Sequence, residues 1–171
     1  MTLTRILPTL RRSIPEPLDA SRWPAHTHPT TTDVVIAGVS LARLADWCTT
    51  PCVHTDDDAA AIVATVTAVA PHPGGGLDIR LDADIAAVAA ETAQARLIGR
   101  ASPAPLCLAH LGPLLLELPT DLHNGDRVAL PAHGRITRSQ VDLHRAARSR
   151  AQDASAGADA GAPDPSGHCA R

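Results

Sequence analysis

A mainly β fold, a small barrel or sandwich with one or two short helices and disordered termini, is the class that the sequence predicts. Three observations point to it. Short apolar segments recur at near-regular spacing along residues 34–130. Leu77, Ile79 and Leu81 alternate with Asp78, Arg80 and Asp82, the period of a strand with one wet face. His72-Pro73-Gly74-Gly75-Gly76 and Asn124-Gly125-Asp126 then supply breaks where strands must turn.

Residues 1–32 hold five prolines and no sustained periodicity, which predicts an extended leader with Trp23 as its apolar anchor. A β-barrel-like domain is expected over 33–138. Val34-Val35-Ile36 reads as a strand and Ala37-Gly38 as a turn. Ser40 stands at an N-cap position ahead of Leu41, Leu44, Ala45 and Cys48, the spacing of a short amphipathic helix. Thr49-Thr50-Pro51 stops that helix, and Cys52-Val53-His54-Thr55 is a second strand. Residues 62–69 and 77–82 form a predicted hairpin, and Asp84 to Ala93 suit about two helical turns. Further strands are predicted at 95–99, 106–109, 114–118 and 128–130. A last helix over 139–150 has only Val141 and Leu143 as large apolar residues. Residues 151–171, which lack leucine, isoleucine and valine, are predicted to be a disordered tail.

Composition excludes several functions. The chain contains no lysine, tyrosine or phenylalanine, so neither a lysine Schiff base nor a phenolic general acid is available. Leucine, valine and isoleucine make 37 of 171 residues, and Trp23 and Trp47 are the only aromatic residues of the Phe, Trp and Tyr class, which predicts a small core built largely with alanine. The net charge of −3 and the scattered arginines give no basic stripe for nucleic acid. No apolar run reaches the ~18 residues of a membrane span. The opening MTLTRILPTLRR lacks a continuous apolar stretch of the secretory kind, so a reducing cytoplasm is the expected compartment.

Candidate sites are few. Gly74, Gly75 and Gly76 are either a phosphate-cradling remnant or a hairpin turn, and the flanking strands favour the turn. Cys48, Cys52 and His54 have metal-ligand side chains, which Cys107 and His110 would complete if the segments met. Against that, Cys48 falls on the apolar helix face and Cys52 in a strand, where cysteine acts as a small hydrophobe. Asp56-Asp57-Asp58 reads as a solvated or capping run, and Glu91 and Glu117 are too isolated to form an acid/base pair. No catalytic residue and no cofactor is indicated.

DVVIAGVSLARLADWCTTPCVHTDDD at 33–58 resembles the amino-terminal entry of the diaminopimelate decarboxylase family, and LCLAHLGPLLLELPTDLHNGDRVALPAHGRI at 106–136 resembles that family's alanine-racemase-like carboxy-terminal β-domain. The resemblance implies a β-domain without its catalytic barrel. A (β/α)₈ unit needs ~250 residues, whereas about forty separate Asp58 from the strand at Arg96. The lysine that holds pyridoxal phosphate in that family is absent too. Cys107 matches a family position, but Leu108-Ala109-His110 replace the acidic neighbours that accompany it. The resemblance thus implies a non-catalytic pseudoenzyme that acts by protein association, as a homo-oligomer or with a full-length decarboxylase. The rival expectation is a metal- or small-ligand-binding module on Cys48, Cys52, His54 and Cys107, or a residual decarboxylase-related enzyme.

Overall fold

Residues 59–71 form one long strand because every side chain in its first half is apolar, small or β-branched, and both of its faces find cover. A computed structural model describes residues 2–56 and 58–143 of the chain. Its strands are β1 (Thr27–Pro29), β2 (Val34–Ile36), β3 (Val39–Ser40), β4 (Cys52–Thr55), β5 (Ala59–Pro71), β6 (Leu77–Leu81), β7 (Arg96–Ile98), β8 (Leu106–Leu111), β9 (Leu114–Pro119) and β10 (Arg127–His133). Helices α1 (Leu3–Ile6), α2 (Leu41–Cys48) and α3 (Arg138–Val141) are short. The architecture is mainly β and barrel-like, as predicted.

A seven-stranded sheet runs β7-β10-β5-β6-β8-β9, with β4 also paired to β5. Strand β5 is its spine. Its first half lies between β4 and β10, with Val63 opposite Cys52 on one side and Ala129 on the other. Beyond Thr65 the β4 edge passes to β6. The Thr65 N–H donates to Asp82 Oδ1 at 2.7 Å and Asp82 N–H returns to the Thr65 carbonyl, while Val66 bonds Gly125 and Asp126 on the β10 side. All of these pairings are antiparallel except β6 with β8, where Asp78 stands opposite His110.

Two cores sit on opposite faces of β5. Ala60, Ile62, Ala64 and Val66 point into the first with Ile79, Leu81, Leu116, Leu118, Val128 and Leu130. Ala61 and Val63 point into the second with Val34, Ile36, Leu41, Ala45, Cys52 and Trp23. The small residues on that face, Ala61 of β5, Ala129 of β10 and Ala45 of α2, suit close packing of α2 against the sheet. Trp23, 4% exposed, closes it, so the proline-rich arm is fastened to the sheet.

Ser40 caps α2 as expected, its Oγ accepting from Arg43 N–H at 3.1 Å. Asp33 sets the entry angle by accepting from Ser40 Oγ and from the N–H groups of Val34 and Ala42. Cys48 departs from expectation. It is exposed, because the last turn of α2 runs beyond the second core, whose helical contributors stop at Ala45.

Three other expectations change with tertiary context. Asp84 to Ala93 is not a pair of α-helical turns but two separate 3₁₀ turns, Ile85–Ala87 and Thr92–Gln94. Between them β10 takes the backbone, with Ala90 bridging Ala132, Glu91 N–H donating to the Pro131 carbonyl and His133 N–H to the Ala89 carbonyl. Strand β10 itself continues through Pro131 to His133. The Pro131 carbonyl faces away from β5 and β7 pairing has ended at Ala129, so the missing N–H costs no ladder bond. The expected leader carries α1, a 3₁₀ turn at Pro8–Arg12 and β1. Of the helix expected at 139–150, α3 covers the start, with Thr137 and Gln140 forming a capping box; residues 144–150 and the tail at 151–171 lie outside the described residues. No helix among the described residues is long and apolar enough to cross a membrane.

Ile62 is fully buried at the centre of β5. Ile62→Ala should therefore lower unfolding free energy by about 2–5 kcal/mol in urea denaturation; a loss below about 1 kcal/mol would mean that the first core does not close on β5.

Candidate functional site: an exposed leucine face and an arginine-lined seam

Strands β8 and β9 send alternate side chains in opposite directions. Ala109, Leu116 and Leu118 enter the first core. Leu108 and Leu115 stand on the other face, 50% and 48% exposed. The register places Leu108 opposite Glu117 and Leu115 opposite His110 on that outer face. Both Glu117 carboxylate oxygens accept from Arg5, at 2.8 and 3.0 Å, which brings α1 alongside. Leu3, Ile6 and Leu7 of that segment are more than half exposed. Leu108 and Leu115 keep about half of their apolar surface in water.

Strands β7 and β9 end the main strand order of the curled sheet, and among the described residues no ladder joins them. Side chains occupy the seam instead. Arg11, 6% exposed, reaches in from the arm and donates from Nη1 to the Ala104 carbonyl at 2.7 Å. Arg96 of β7 donates from Nη1 to its neighbour Ala95 and from Nη2 to the Pro17 carbonyl. A cavity of about 50 Å³ opens between them, walled also by Glu16, Thr30, Ser102 and Glu117. Burial pulls the Arg96 guanidinium below its ordinary value, outweighing the fields of Glu16 and Glu117.

At one end of the seam Arg100 forms a bidentate pair with buried Asp126, both contacts 2.7 Å, and reaches Asp121 as well. Asp126 also accepts from His123 N–H, which closes the Asn124-Gly125 turn onto β10. Burial pushes the Asp121 carboxyl up, but bonds from Ser102 Oγ and Arg100 outweigh it and hold the group below the ordinary carboxylate range.

The residues singled out in the sequence have other placements. Gly74–Gly76 forms the β5–β6 turn, with Gly75 N–H spent on the His72 carbonyl. A side chain at Gly76 would put Cβ 2.2 Å from the Leu108 carbonyl, and its φ of +87° suits glycine, so close strand approach explains this glycine. The proposed metal ligands do not assemble. Cys48 is exposed at the end of α2, Cys52 is buried in the second core with its thiol pushed up to about 11 by burial, and His54 lies beside it on β4. Cys107 is on β8, which pairs with β6 and β9 and not with β4. Among the described residues no group of three or more His, Cys, Asp or Glu side chains is placed to hold a metal ion. His110 instead stacks on His72, with ring centroids 3.7 Å apart, and His72 Nδ1 lies 2.9 Å from Asp78. Glu91 and Glu117 hold ion pairs to Arg22 and Arg5 of the arm. Asp56 and Asp58 lie in the β4–β5 turn, where the Asp58 carbonyl accepts from Gly134 N–H; Asp57 is outside the described residues.

Fold and site together define a small β-domain with an unpartnered leucine face. The chain matches no family model, no curated protein and no solved structure.

The lowered Asp121 value sets a pH dependence. Its stabilising contribution is present above the ordinary aspartate pKa of about 3.9 and is lost as pH falls through the lower folded value. Wild type should thus exceed Asp121→Asn in melting temperature at pH 7, with the gap closing as pH falls below the ordinary aspartate range. A gap that stays constant with pH would contradict the charged role.

Proposed function

We propose that this chain is a non-catalytic β-domain protein, related to diaminopimelate decarboxylases with the barrel deleted, that works by protein association. The observation that carries the reading is the exposure of Leu108 and Leu115 on the outer face of β8 and β9, with Leu3 and Ile6 exposed on α1, which Arg5 ties to Glu117 of β9. Apolar side chains grouped in this way commonly mark a protein interface. Their setting supports it further, since the Arg5–Glu117 pair provides a polar border. The absence of lysine agrees with a role that uses no pyridoxal phosphate chemistry. The partner is a second copy of the chain or a full-length decarboxylase of the same family, whose own β-domain would offer a matching face.

Size-exclusion chromatography with light scattering, with and without such a decarboxylase, tests this. The wild type is expected to form a dimer or a mixed complex, and Leu108→Glu with Leu115→Glu should return it to a monomer with an unchanged far-ultraviolet circular dichroism spectrum. A strictly monomeric wild type that binds no decarboxylase would overturn the proposal.

A further inference from the structure

The outer face of β5, β6 and β8 carries an open groove of about 480 Å³. Ladder register sets its layout. Arg80 stands opposite Ala68 and Asp78 opposite Ala70, while His110 lies beside Asp78 on the parallel side. Ile79 and Leu81 turn into the first core, so Asp78 and Arg80 point outward. The floor is made of small residues, Ala68, Ala70 and Gly112, and the walls are Asp78, Arg80 and His110. Walls of that kind between a bare floor leave clearance for a flat group standing on the sheet.

The walls set what the groove can hold. His72 covers one face of the His110 ring, with centroids 3.7 Å apart and planes within 13°. The groove is lined by His110 and not by His72, so His110 turns its uncovered side toward it. Asp78 steadies the stack by lying 2.9 Å from His72 Nδ1. A ring already held by another ring is a prepared stacking surface. Arg80 is exposed and stands two residues beyond Asp78 on the side away from His72. At the rise of a strand that is about 7 Å along the sheet, room for one flat ring in contact at about 3.5 Å on each side. Guanidiniums stack on aromatic faces. One guanidinium and one carboxylate balance here, so the groove selects no net charge.

We propose that this groove binds one neutral, planar heteroaromatic ring, stacked between His110 and Arg80, with an N–H on its edge donating to Asp78. An edge donor is required because a carboxylate only accepts. The site lies on the β6 side of His110, opposite the Leu115 side, and its ligand needs no partner protein.

Adenosine is the probe, added to the full chain at pH 8 while histidine ring C–H signals are followed by NMR, with ribose as the ring-free control. The His110 signals are assigned by their loss in His110→Ala. A saturable upfield shift of those signals is expected with adenosine and none with ribose. His110→Ala, read at the His72 signals, should bind about tenfold more weakly, the scale of one stacked base. Ala70→Leu fills the floor and leaves both histidines in place, so it should abolish the shift with an unchanged circular dichroism spectrum. It decides the matter if His110→Ala fails to fold. No saturable shift in the wild type, an equal response to ribose, or undiminished binding by Ala70→Leu would overturn the site.

Discussion

Burial of both faces of β5 constrains the rest of the molecule. A strand that sends Ile62 and Val66 one way and Ala61 and Val63 the other cannot be stable on one sheet face alone, so each face must recruit its own cover. The first is met by curling the sheet until β6, β9 and β10 close over it. The second is met by α2, β2 and Trp23, which is why the arm and the 34–48 segment are parts of the fold and not appendages. The chain has few large aliphatic residues and no phenylalanine or tyrosine. Alanine therefore occupies much of β5, and close backbone approach stands in for side-chain volume.

Curling brings the sheet edges β7 and β9 to a seam that backbone bonds do not close. In a lysine-free chain the work falls to arginine. Arg5, Arg11 and Arg22 run from the arm to Glu117, Ala104 and Glu91, and Arg96 reaches back to Pro17. Planar guanidiniums suit this role because each offers several donors in fixed directions. The same arrangement leaves the Nε atoms of Arg11 and Arg96 buried without a hydrogen-bond partner. The leucine face lies outside both cores and stabilises neither, which separates the features that hold the fold from the one offered to a partner.

Much of the fold was legible in the sequence because local patterns and tertiary demands agree there. The alternation at 77–82, the Ser40 cap, the strand at 52–55 and the anchoring role of Trp23 all reflect short-range chemistry that survives into the structure. What failed to show depends on long-range partners. Ala-rich residues 84–93 read as helical until β10 claims their backbone, and the strand expected at 128–130 runs on through Pro131 because that residue lies past the end of the β7 ladder. Cys48 has apolar-face spacing but lies past the end of the surface that α2 covers. The seam was invisible because Arg5 and Glu117 are 112 residues apart and Arg11 and Ala104 are 93 apart.

The most direct measurement of the association claim is amide hydrogen exchange of the full chain, read by mass spectrometry at a low and a high protein concentration. Association through the leucine face predicts that peptides covering residues 106–119 and 2–8 gain protection as concentration rises, while β5 and α2 exchange at the same rate in both. Protection that ignores concentration, or that rises first around the exposed Trp47 on α2, would contradict it.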